Sequence, residues 1–272
     1  MPMCVALVAT MIAGAIHRKS PAASGVLVIV GLLAGVLVCW TKQFYPLWPI
    51  PRDTTRVFPH VAILAGIVGV GLSALRVKPG AASVVTGVAS AAAVAFVTKN
   101  PALLALAFAA ALLTRSCFAF KPDSTENSPT LLATLLLAGA TVGTGLLIAM
   151  TGSLSISQHA MMIGCGLVGV VIASAVYRRG LLGAGGLCLA ITTWMCALAC
   201  AVAFSRTQLW QAVVLACVPA LANAVNLPGL DKLKKWQSFV LVALFGTVIT
   251  GAVVGLALMK MLRDIKADPY GY

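Results

Sequence analysis

All six carboxylates of this chain lie outside its long apolar runs. Asp53, Asp123, Glu126, Asp231, Asp264 and Asp268 fall in the breaks between runs or in the tail. The runs extend for about 18–24 residues, the length an α-helix needs to cross ~30 Å of hydrocarbon. With 61% hydrophobic and 9% charged residues, a water-soluble fold of this size would have too little polar surface to cover its core. A transmembrane barrel would instead read as alternating segments of roughly ten residues. The expected fold is therefore an all-α integral membrane protein, a polytopic bundle.

Hydropathy and punctuation predict about ten spans (range 8–10), near 3–17, 22–41, 57–75, 81–98, 101–120, 130–152, 158–177, 181–204, 207–227 and 236–259. The first is short, and the fifth carries Arg115, which must reach the interface or mark the true helix end. "TKNPALL" reads as a turn with Asn100 capping a helix and Pro101 in its first turn, and "KPGAAS" separates the third and fourth spans. The whole reads as a single transmembrane domain. The polar segment 121–129 would divide it into halves, 1–120 and 130–272. With five spans each, these halves would run in opposite directions, the architecture of inverted-repeat carriers. A plain loop in an unsymmetrical bundle fits the same residues.

The formal net charge is +13, which in a soluble domain would point to nucleic acid. Here the basic residues stand singly or in pairs at helix ends, so nucleic acid is not expected. Arg18, Lys19, Arg178, Arg179, Lys234, Lys235 and Trp236 read as topology signals and anchors to anionic lipid headgroups. Arg18 and Lys19 follow the first apolar run rather than precede it, which argues against a signal peptide and for an extracytoplasmic N-terminus. The excess of basic residues on the inner side is modest, and the side of the C-terminus depends on whether the ninth span crosses fully. "FYPLWPIPRD", 44–53, reads as a stiff outer loop with Tyr45 and Trp48 as interfacial anchors.

The eight cysteines show no disulfide spacing. Cys188, Cys196 and Cys200 share a sector of the eighth span and read as small packing residues rather than metal ligands. Glycines four apart, Gly31/Gly35, Gly139/Gly143 and Gly251/Gly255, read as close helix contacts within the chain before they read as an oligomer seam. So do the runs Gly66-Gly69-Gly71, Gly164-Gly166-Gly169 and Gly183-Gly185-Gly186.

Intramembrane carboxylates mark proton relays and ion paths, and an intramembrane hydrolase needs a nucleophile with its base or a ligated metal. The spans offer neither, so neither an enzyme nor a cofactor is expected. Candidates for a substrate path are His159, Thr141, Thr144, Asn223 and Asn226. Threonines such as Thr134, Thr141, Thr144 and Thr151 more often bond carbonyls of their own helix, and the asparagines, flanked by Pro219 and Pro228, fit either a broken-helix site or a helix end. In "SQHAMMIGCG", His159, Met162 and Cys165 share a face, a weak candidate for soft metal. The favoured picture there is a helix entrance capped by Ser155 or Ser157. Two functions remain: a small-solute transporter or facilitator, and a non-catalytic subunit of a larger membrane complex. Ten spans, the central break and a proline-interrupted ninth span favour the first. Membrane lipids are expected partners in both, and a membrane protein or a second copy is open.

Overall fold

A computed structural model of the chain describes residues 2–17, 20–43, 57–75, 77–98, 100–116, 128–177, 180–226, 230 and 233–267. Among them there is no strand. The α-helices are α1 (Pro2–Ile16), α2 (Pro21–Gln43), α3 (Phe58–Ala74), α4 (Pro79–Val97), α5 (Pro101–Ser116), α6 (Ser128–Thr151), α7 (Leu154–Val176), α8 (Ala184–Phe204), α9 (Leu209–Cys217) and α10 (Lys235–Ala267). A 3-10 segment, Val218–Asn226, continues α9.

The helices start where proline suits a first turn. Pro21, Pro79 and Pro101 each open one, because the missing N–H would have had no partner there. Asn100 caps α5 as expected, its Oδ1 accepting from the Ala102 amide at 3.0 Å. The start of α7 differs from expectation. The helix begins at Leu154 after Ser153, which makes no side-chain cap. Ser157 instead donates to the Gly145 carbonyl of α6 at 2.7 Å. Between these helices the chain turns sharply at Gly152, whose φ of 109° is costly for any residue with a Cβ.

Six helices, α2, α4, α6, α7, α8 and α10, are long and apolar enough to cross a membrane. They are six of the ten α-helices among the described residues, where about ten spans were expected. α1, α3, α5 and α9 are apolar but shorter, and at 15 residues α1 reaches only about 22 Å. α10 departs the other way. Its charged tail, Lys260 to Lys266, ends the apolar run without ending the helix, which at 33 residues is about 50 Å long.

α8 is the axis. It packs against α2, α3, α4, α5, α7 and α9, and α7 packs against α1, α2, α6 and α8. The residues 1–120 and 130–272 therefore interleave: α1 lies on α7, and α3 and α4 lie on α8. α10 touches only α6, α9 and the 3-10 segment among its principal contacts.

Glycine sets the closest approaches. A Cβ on Gly164 would meet Val142 of α6, on Gly166 Leu32 of α2, and on Gly169 the backbone of Met3 and Leu7 of α1. Three glycines on one helix thus admit three different neighbours. Between helices solvated by lipid, such dispersion contacts replace the hydrophobic drive that water would supply. Hydrogen bonds add cross-links at about 0.6 kcal/mol each. Tyr177 donates to the Met11 carbonyl at 2.9 Å, and Ser90 bonds Thr192 at 3.2 Å.

Candidate functional site

Two regions bring together residues with something to offer. The first lies where α2 ends and where α3 and α7 begin. His159, on the second turn of α7, is buried between two aromatic rings. Its ring stacks on Trp40 with centroids 4.8 Å apart and on Phe58 with centroids 4.4 Å apart. All three side chains are almost completely buried, so the imidazole is packed into the bundle rather than set on a rim. Met162 is buried below it and Cys165 is partly buried. Among the described residues no three His, Cys, Asp or Glu side chains converge as a metal site would require.

At the same end, Thr151 closes α6. Its hydroxyl lies 3.2 Å from that of Ser205 and 2.9 Å from that of Thr207, while Ser205 and Thr207 are 2.8 Å apart. Thr151 and Ser205 also donate to carbonyls of their own helices. The triangle staples the α8–α9 turn to α6.

The other threonines of α6 are committed to their own helix. Thr134 donates to Thr130, Thr141 to Leu137 at 2.6 Å and Thr144 to Ala140 at 2.8 Å. Thr144 also accepts from the indole N–H of Trp194 at 2.9 Å. Trp194, fully buried on α8, went unnoticed in the sequence. The available signal was that a buried indole needs an acceptor, which a threonine-rich neighbour supplies.

The second region is a cleft of about 240 Å³ between α6, the 3-10 segment and α10. Gly139, Gly143 and Leu146 line it from α6, Val218 from the 3-10 segment, and Gly246 and Gly251 from α10. Val218 stands at the point where α9 gives way to 3-10 geometry. Pro219 follows, and its missing N–H and fixed φ interrupt the regular ladder. Nine residues of 3-10 is long for a conformation seldom sustained beyond 3–4 residues, and such stretches often mark hinges. Asn223 is on this segment, partly buried. The side chain of Asn226 lies outside the described residues.

Of the expected anchors, Lys234, Lys235 and Trp236 are exposed at the start of α10. Arg18, Lys19, Arg178 and Arg179 lie outside the described residues, as do the 44–53 loop and the 121–127 part of the central break.

These features define a class: an all-α protein whose apolar helices point to multi-pass insertion in a membrane, with a packed axial helix and a lateral cleft. Compared with known proteins, the chain matches no family model, no curated protein and no solved structure.

Proposed function

We propose that the chain is a small-solute transporter or facilitator of about ten spans (range 8–10), the N-terminus and the His159 end facing the extracytoplasmic side. One observation carries the reading: the ninth helix breaks into nine residues of 3-10 geometry packed against α6 and α10. Discontinuous helices at a seam between bundles are how many carriers form their solute sites. A 3-10 turn rises about 2.0 Å per residue against ~1.5 Å for α. Converting these nine residues would move one end of the segment by about 4–5 Å relative to the other. α10 would follow, because it packs on the segment and on α6. With no carboxylate in the apolar runs, this movement would need no proton gradient.

The test is flux in proteoliposomes over a panel of small neutral and cationic solutes, for the protein and for Pro219→Ala. Restoring a backbone N–H at 219 favours a continuous helix, so uptake is expected to fall at least tenfold with the protein still monodisperse. Transport by wild-type protein should need no proton gradient, and proton-driven accumulation would overturn that part. Equal flux in protein-free vesicles across the panel would sink the carrier reading.

A second reading is supported by the exposed length of α10, which has few neighbours in the chain. On it the protein is a non-catalytic subunit, and α10 is the helix that meets the rest of a complex. Blue-native electrophoresis of gently solubilised membranes separates the two. Migration at the mass of a monomer or dimer favours the carrier, and stable co-migration with a large complex favours the subunit.

A further inference from the structure

The cleft between α6, the 3-10 segment and α10 is unlike the rest of the interior. Two of its glycines hold the walls together: a Cβ on Gly143 would meet Thr250, and one on Gly246 would meet Leu136. The other two, Gly139 and Gly251, are exposed, and a Cβ on either would meet nothing within 4 Å. The polar side chains of the wall are two threonines. Thr247 donates to the Ala243 carbonyl at 2.9 Å, and Thr250 presents its methyl towards Gly143. An acyl chain has no hydrogen bonds to lose on entering an apolar wall of this kind.

We infer that this cleft holds one acyl chain of an anionic phospholipid, entering sideways from the bilayer. Three observations select that occupant. The first is size. The lining runs from Gly246 to Val254 on α10, about 12 Å at the helical rise. An extended acyl chain can lie along a slot of that length, whose volume is about 240 Å³. The second is depth. Gly246 stands about 16 Å along α10 from Lys235, close to half of a ~30 Å hydrocarbon core. A lipid whose phosphate sits at the start of α10 therefore has its chain at cleft level. The third is charge. Lys234 and Lys235 are exposed at that start, followed by exposed Trp236, the combination that attracts anionic headgroups. The inference is independent of transport, since it concerns binding alone.

The test uses the full chain purified in a mild non-ionic detergent, with dioleoyl phosphatidylglycerol added and bound lipid counted by native mass spectrometry. Wild-type protein is expected to retain one lipid more firmly than the rest. Gly139→Leu with Gly251→Leu fills the cleft from two sides into open space, and the retained fraction should fall at least tenfold while the melting temperature holds. Lys234→Gln with Lys235→Gln should weaken retention of phosphatidylglycerol several-fold and leave phosphatidylcholine unchanged. Retention equal to wild type in the filled variant overturns the inference. So does displacement of the lipid by free oleate with no effect of the lysine changes, which would assign the cleft to fatty acid. Conversion of a dimer to a monomer by the filled variant would overturn it in favour of a second copy of the chain. Should the filled variant misfold, phosphatidylglycerol carrying a mid-chain diazirine decides on wild-type protein. Adducts concentrated on 139–146 and 246–254 support the inference, and adducts spread evenly along Leu241, Leu244 and Val248 overturn it.

Discussion

α8 and α10 have nearly the same hydropathy, 2.2 and 2.4 over their apolar windows, yet 83% of the α8 window is buried in the chain and 17% of the α10 window. In water such similar helices would compete for the core. In lipid both environments are apolar, so hydropathy decides membrane entry and not position within the bundle. What separates the two is size and polarity. α8 reads AGGLCLAITTWMCALACAVAF, with small residues, cysteines, paired threonines and one indole. These permit close approach and give neighbours something to bond. The outward face of α10 presents Leu241, Leu244, Phe245, Val248 and Leu256, bulky branched and aromatic side chains that lipid tails solvate well.

The sharpest way to break this contrast is at the crossing of α3 and α8. A Cβ on Gly185 would fall on the Gly69 carbonyl, and one on Gly69 on the Gly185 carbonyl. Neither backbone can move without parting the helices. Gly185→Val is expected to cost about 3 kcal/mol or more and to remove most monodisperse protein in size-exclusion chromatography. Gly255→Val on α10, where a Cβ meets nothing within 4 Å, should elute as wild type. Equal behaviour of the two variants would mean that α8 is not the closely packed axis.

A smaller effect is expected at Trp194. Trp194→Phe keeps a ring in the core but removes the N–H that reaches Thr144 together with part of the indole's volume. Thr144 remains bonded to the Ala140 carbonyl, so no polar atom is stranded, and the lost hydrogen bond and the cavity together should cost about 2 kcal/mol. SDS-driven unfolding in mixed micelles reads it. In a double-mutant cycle with Thr144→Val, the coupling should be about 0.6 kcal/mol. Coupling near zero would show that α6 and α8 are held by packing alone.

Much of the helical frame was legible because its signals are local. The α2, α3 and α4 boundaries fall within two residues of the expected 22–41, 57–75 and 81–98, where apolar runs meet proline, glycine and charge. Features set by distant neighbours were not. His159 reads from the sequence as part of a helix entrance, but the rings that bury it come from α2 and α3. The overrun of α10 to Ala267 was missed because Lys260, Arg263 and Lys266 stop an apolar run and suit a helix equally well. Pro219 marked a break in the ninth span, but not nine residues of 3-10 geometry. Thr141 and Thr144 behave as the commoner expectation for buried threonines has it.

Phe58 tests whether the aromatic stack is part of the packed region that α8 organises. Phe58→Leu removes one face of the His159 sandwich and keeps most of the buried volume. A loss of about 1 kcal/mol is expected in the same unfolding assay, with Trp40 still stacked on the other face.

The smallest effect belongs to α10. Phe245 is 55% exposed and has lipid or detergent against much of its ring. Truncation to alanine exchanges contact with protein for contact with more lipid, and lipid tails solvate either surface alike. Phe245→Ala should therefore change unfolding free energy by less than about 0.5 kcal/mol, against about 3–5 kcal/mol for the same loss of volume at a buried aromatic. A large loss in the purified single chain would mean that α10 is held by more than its contacts with α6 and the 3-10 segment. A loss seen only in native membranes would identify the outer face of α10 as a contact with another protein, and the contrast with α8 would then describe the isolated chain alone.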